Sequence, residues 1–132
     1  MDLSEFDSLI ENAYKAHVTL PEAERLASKF LYFMNIIANE LKNVGLDAAM
    51  RKNGLDDIHN ALRIDLRSKY KGGNGGTSEP TIEAMIETDQ TYRDHRTSLN
   101  ITKNEKDFLE SKFKTAETSH IFFRGIAKGK YD

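Results

Sequence analysis

Lys71-Gly72-Gly73-Asn74-Gly75-Gly76-Thr77-Ser78-Glu79-Pro80 is the stretch on which the fold turns. Five of its ten positions are Gly or Pro, so neither a helix nor a strand is expected to run through it. On each side lies a long segment with helical periodicity. The spacing predicts an all-α fold: a long antiparallel helical hairpin with a flexible tip at 71–78.

Upstream of the tip, Thr19-Leu20-Pro21-Glu22 reads as a helix start. Thr19 can cap, Pro21 sits where no amide partner is lost, and Glu22 completes a capping box. Leu26, Phe30, Phe33, Ile37, Leu41, Val44, Ala48, Leu55, Ile58, Leu62 and Leu66 then keep one face, which predicts a first arm over about 20–70. Gly45 weakens this arm without breaking it. Asn53-Gly54-Leu55 admits two readings: a helix that runs through, or a C-cap with Asp56 or Asp57 starting the next helix. Before the arm, Ser4 is a candidate N-cap for a short helix over about 4–17. Its stripe is Phe6, Leu9, Ile10, Ala13 and Tyr14, and Pro21 prevents continuation.

Downstream, Ser78-Glu79-Pro80 repeats the cap-then-proline arrangement, and a second arm is expected over about 79–128. Ile82, Met85, Ile86, Tyr92 and Leu99 are moderately periodic. Asn100-Ile101-Thr102-Lys103-Asn104 shows no clear stripe. Leu109, Phe113, Ala116, His120, Phe123 and Ala127 alternate gaps of four and three, the spacing of a coiled-coil seam.

At 132 residues the chain fits a single helical domain. With 39% hydrophobic and 30% charged residues it has a modest core and a heavily solvated surface. A hairpin of this kind leaves apolar stripes uncovered, which points to a homo-oligomer. The net charge of −2 supplies no global basic field, so nucleic-acid binding has to come from local clusters. The absence of cysteine removes disulfides, thiolate metal sites and a cysteine nucleophile. The acidic start Met1-Asp2-Leu3-Ser4-Glu5 lacks a signal-peptide core, and no apolar run is long enough to span a bilayer. A soluble cytoplasmic protein without membrane contact is the expectation.

The glycine stretch invites comparison with a phosphate-binding loop. It lacks a Lys before Thr77 and follows a helix rather than a strand, so a solvated tether is the better reading. His17, His59, His95 and His120 are scattered, and no helical spacing pairs two of them for a metal. Asp56, Asp57 and His59 are the nearest approach to a ligand set. Nothing enforces a catalytic triad or a carboxylate pair, and the chain reads as non-enzymatic, with no cofactor. Glu79, Glu83, Glu87 and Asp89 suit a solvated acidic face near a helix start.

Two basic clusters remain. Arg63, Arg67, Lys69 and Lys71, with Tyr70, end the first arm; Arg124, Lys128 and Lys130, with Phe122, Phe123 and Tyr131, end the second. Cations alternating with aromatic rings suit single-stranded DNA, because the cations neutralise phosphates and the rings offer stacking faces. Ordinary helix-end chemistry explains the same residues, since cations are favoured near helix C-termini.

The order of features has a counterpart in a known family. A short N-terminal arm precedes a helix with Glu22-Ala23 and Phe30-Leu31-Tyr32-Phe33. A basic-aromatic segment, Arg67-Ser68-Lys69-Tyr70-Lys71-Gly72, leads into glycines and an acidic helix start. The last helix ends in Phe122-Phe123-Arg124-Gly125-Ile126. This pattern resembles the UvsY-type recombination mediators of T-even-like phages. The resemblance implies a helical, oligomeric protein of phage type, acting in the host cytoplasm. It would bind single-stranded DNA and help load a RecA-like recombinase onto DNA covered by single-strand-binding protein. It carries to Tyr70, the cations beside it and Arg124-Gly125. The alternative expectation is a helical protein-interaction module, an inhibitor or adaptor of a host protein, that binds no nucleic acid. Either the acidic helix Glu79–Asp94 or the N-terminal stripe would then carry the contact.

Overall fold

The computed structural model describes residues 1–15, 17–70 and 78–129. The described chain is all-α, with four helices: α1 (Ser4–Ala13), α2 (Leu20–Lys69), α3 (Glu79–Thr88) and α4 (Gln90–Ala127). The long helices α2 and α4 pack against each other as a hairpin. Positions 71–77 of the expected tip, with Lys71, lie outside the described residues, as does Lys130. Two compact units form, one from Met1–Asn43 with Lys106–Asp132 and the other from Val44–Glu105.

In the first unit α1 and the start of α2 pack with the end of α4. Phe6, Phe30 and Phe123 are fully buried. The Phe30 and Phe123 rings stack at 5.7 Å with an interplanar angle of 4°, and Phe6 meets Phe30 edge-on at 6.3 Å. Leu26, Ile37, Leu109 and Ala116 extend this core, so the stripes expected on the two arms face one another. His120, on the expected seam, is half-buried and donates Nδ1–H to the Ala27 carbonyl at 2.8 Å. That bond ties α4 to α2 and places the neutral ring's proton on Nδ1.

Thr19 caps α2 as expected: the Glu22 amide donates to Thr19 Oγ1 at 3.3 Å, and the Ala23 amide donates to the Thr19 carbonyl. The Glu22 carboxylate does not close the capping box but lies 3.6 Å from Lys15 Nζ. At α1 the cap differs from the expectation. Ser4 is the first helical residue and Leu3 is the N-cap. Asp2 Oδ1 accepts from both the Ser4 amide and the Ser4 hydroxyl. α1 also stops at Ala13 rather than near 17, because Tyr14 takes an extended backbone (φ −86°, ψ 92°). That turn sends the Tyr14 ring onto α4, where it meets Phe122 and Phe123 at 5.5 and 5.2 Å.

In the second unit Leu55, Ile82, Ile86, Tyr92 and Leu99 form the core, flanked by Ile58, Leu62 and Leu66. α2 continues through Gly54, so of the two readings open at that glycine the unbroken helix holds. Gly54 has no positive φ, and no C-cap forms there.

The expected second arm is interrupted at Thr88-Asp89. Asp89 has an extended backbone (φ −69°, ψ 129°) and ends α3. Its Oδ1 accepts from the Tyr92 amide at 2.9 Å, which makes it the N-cap of α4. The segment 100–104, which has no clear stripe in the sequence, is helical. Thr102 is buried there and donates its hydroxyl to the Ser98 carbonyl at 3.0 Å, so a polar side chain fills an interior position with its donor satisfied.

Candidate nucleic-acid interface

The two expected clusters differ in electrostatic state. At the end of α2, Arg63 and Arg67 lie one helical turn apart and converge on one carboxylate. Arg63 Nη2 donates to Glu79 Oε2 at 2.8 Å, and Arg67 Nη2 donates to Glu79 Oε1. The Arg63 hydrogen bond, then that of Arg67, holds the Glu79 carboxyl below the usual carboxylate range, and the same contact raises Arg63. Lys69 lies 3.1 Å from Asp65, one turn back on α2. Tyr70 is half-exposed, and its amide closes the last turn on the Leu66 carbonyl. Every described cation of this cluster therefore faces an acid of the chain itself.

The acid that holds the two arginines comes from the expected acidic face of α3, which is less solvated than the sequence suggests. Glu79, Glu83 and Glu87 recur every four residues, and each accepts from a side-chain nitrogen of a neighbouring helix. Glu79 holds Arg63 and Arg67, Glu83 accepts from His59 Nε2 at 2.9 Å, and Glu87 holds Arg96 on α4. Ile82 and Ile86 are buried beside this row. The contact with Glu83 and the ring contact with Tyr92 at 6.0 Å account for His59. Asp56 pairs with Lys52 one turn back.

At the end of α4 the arrangement is open. Arg124 and Lys128 are exposed and make no ion pair among the described residues. Phe123 belongs to the core, but Phe122 is 37% exposed and Tyr14 51% exposed, and their rings form a tilted pair at 5.5 Å. The Tyr14 hydroxyl is held 2.7 Å from Ser119 Oγ. A shallow groove between α1 and α4 runs beside Tyr14, lined also by Ile10, Lys114, Thr115 and Thr118. Lys114, the hydroxyls and the two partly exposed rings thus lie along one side of the first unit, whereas Arg124, two residues after Phe122 and so about 200° further round α4, leaves the helix on another side.

Tyr14 and Lys114 are absent from the clusters read in the sequence. Tyr14 sits at the end of the α1 stripe, where an apolar position is the natural assignment. Only the turn after Ala13 brings it to α4, across a separation of more than 100 residues. No helix among the described residues is long and apolar enough to cross a membrane. No family model, curated protein or solved structure matches this chain.

Proposed function

We propose that this protein is a non-enzymatic, single-stranded-DNA-binding accessory protein, with its open contact at the C-terminal end of α4. The observation that carries this reading is the Tyr14–Phe122 ring pair at the groove lined by Lys114, Thr115 and Thr118, with Arg124 and Lys128 exposed at the same end of α4 and without an acid partner among the described residues. Rings accept bases of any sequence by stacking, cations neutralise phosphates, and hydroxyls such as Thr115 and Thr118 donate to phosphate oxygens. A surface of this kind binds single strands with little sequence preference. The resemblance to UvsY-type mediators adds the wider role: loading a RecA-like recombinase in the presence of single-strand-binding protein, as a phage-type homo-oligomer.

The direct test of the site is Tyr14→Leu in the full chain, assayed with labelled oligo-dT at low salt. Loss of a base stack weakens binding by ~1–3 kcal/mol, or roughly 5- to 150-fold. Unchanged affinity in a folded Tyr14→Leu protein removes the platform from the reading.

One observation favours the alternative, a protein-interaction module without nucleic-acid binding. In the second unit Leu46, Met50 and Ile64 of α2 are 59, 72 and 70% exposed. Asn53, Asp57 and Asn60 complete that outer side at gaps of three and four, so the face is half apolar and half polar. The face would suit a helical partner or a further copy of the chain. Absence of oligo-dT binding at low salt removes the first reading, and a pull-down with the full chain then tests this alternative.

A further inference from the structure

The α2 cluster has the form of an anion site that is already filled. Arg63 and Arg67 are spaced by four residues, so a continuous helix presents both guanidinium groups on one side. They close on the two oxygens of Glu79, one arginine to each. Planar guanidinium forks recognise carboxylate and phosphate by the same geometry, so a site that holds one holds the other. Arg63 Nε is buried and has no hydrogen-bond partner among the described residues, which leaves one donor of this site unused. A tetrahedral phosphate offers more acceptor oxygens than the carboxylate does.

Glu79 is placed to leave. It is the first residue of α3 and its side chain is about half-exposed. The attachment of α3 lies further along, in the fully buried Ile82 and Ile86. Ion pairs at this exposure are weak and salt-sensitive, so the carboxylate can swing away without undocking the helix.

We propose that Glu79 is an internal substitute for phosphate: it occupies the Arg63/Arg67 site in the free protein and limits access of a nucleic-acid backbone to it. The inference rests on the single-stranded-DNA reading and adds a second, gated contact to the open one on α4. Removing the Glu79 charge frees two cations for backbone phosphates. Removing the Glu87 charge, on the same row but paired with Arg96, does not.

The test is a salt series of labelled oligo-dT binding by full-length wild type, Glu79→Gln, Glu87→Gln and Glu79→Gln/Arg67→Ala, with helicity confirmed for each. Glutamine matches the shape of glutamate and retains an acceptor, so the fold is expected to persist. Glu79→Gln should bind more tightly and show a log–log salt slope steeper by roughly 1.4, two phosphates at about 0.7 each. Glu87→Gln should stay near wild type, and the double variant should keep roughly half of the slope gain, about 0.7 from Arg63 alone. Equal gains in Glu79→Gln and Glu87→Gln, or no gain in Glu79→Gln while wild type binds, overturn the gate and leave the α4 contact standing. Failure of both wild type and Glu79→Gln to bind at the lowest salt overturns the gate together with the DNA-binding reading.

Discussion

Tyr14 Oη and Ser119 Oγ lie 2.7 Å apart and join the residue that ends α1 to a fully buried position on α4. The bond explains why α1 stops where it does. One more helical turn would carry Tyr14 away from Ser119 and from both Phe122 and Phe123. Tyr14→Phe keeps the ring contacts and removes the bond, at an expected cost of about 1 kcal/mol. Chemical denaturation checks this. A neutral result would mean that the rings alone hold the turn.

The stacked Phe30–Phe123 pair is the centre of the first unit's core. Phe30→Ala and Phe123→Ala each leave a large hole between packed helices and should cost about 3–5 kcal/mol. Because Phe123 follows Phe122, the contrast between neighbours is informative. Phe122→Ala should cost clearly less, since that ring is partly exposed. Thermal melts followed by circular dichroism give the order.

Gly54 tests the continuity of α2. A Cβ built there meets nothing within 4 Å, and the same holds at Gly45. In an uninterrupted helix Gly54→Ala should stabilise by about 1 kcal/mol. At a left-handed C-cap the same change would destabilise. The sign of the shift in melting temperature separates the two.

The Glu79 carboxyl, held low first by the Arg63 hydrogen bond and then by Arg67, gives a pH prediction. A carboxyl whose folded value is depressed favours the folded state above its unfolded value. That contribution disappears as pH falls through the folded value, on the acid side of the ordinary carboxylate range. Carboxyl-detected NMR titration should place Glu79 below the ordinary glutamate range. Arg63→Ala and Arg67→Ala should each move it back upward. A Glu79 titration that does not respond to either change would show that the arginines do not hold it.

Much of the fold is legible in the residues because it rests on local signals. The apolar stripes of α2 and of the end of α4 and the Thr19 cap all act within a few positions. The break at Thr88-Asp89 is also local, but Asp89 reads equally well as one more acid in an acidic run. Its capping role depends on the extended backbone that lets Oδ1 reach the Tyr92 amide. The sites were less legible because they depend on pairing across the chain. Arg63, Arg67 and Lys69 read as a basic patch until Glu79 and Asp65 are placed beside them. Tyr14 reads as an apolar stripe residue until the turn after Ala13 carries it to Phe122.

The proposal of single-strand binding through the end of α4 is tested most directly by the salt dependence of oligo-dT affinity for wild type and Arg124→Ala/Lys128→Ala. We expect wild type to bind at low salt and the double variant to bind more weakly, with a log–log slope shallower by roughly 1.4 for two lost phosphate contacts. No binding by wild type at low salt, or identical slopes for the two proteins, would contradict it.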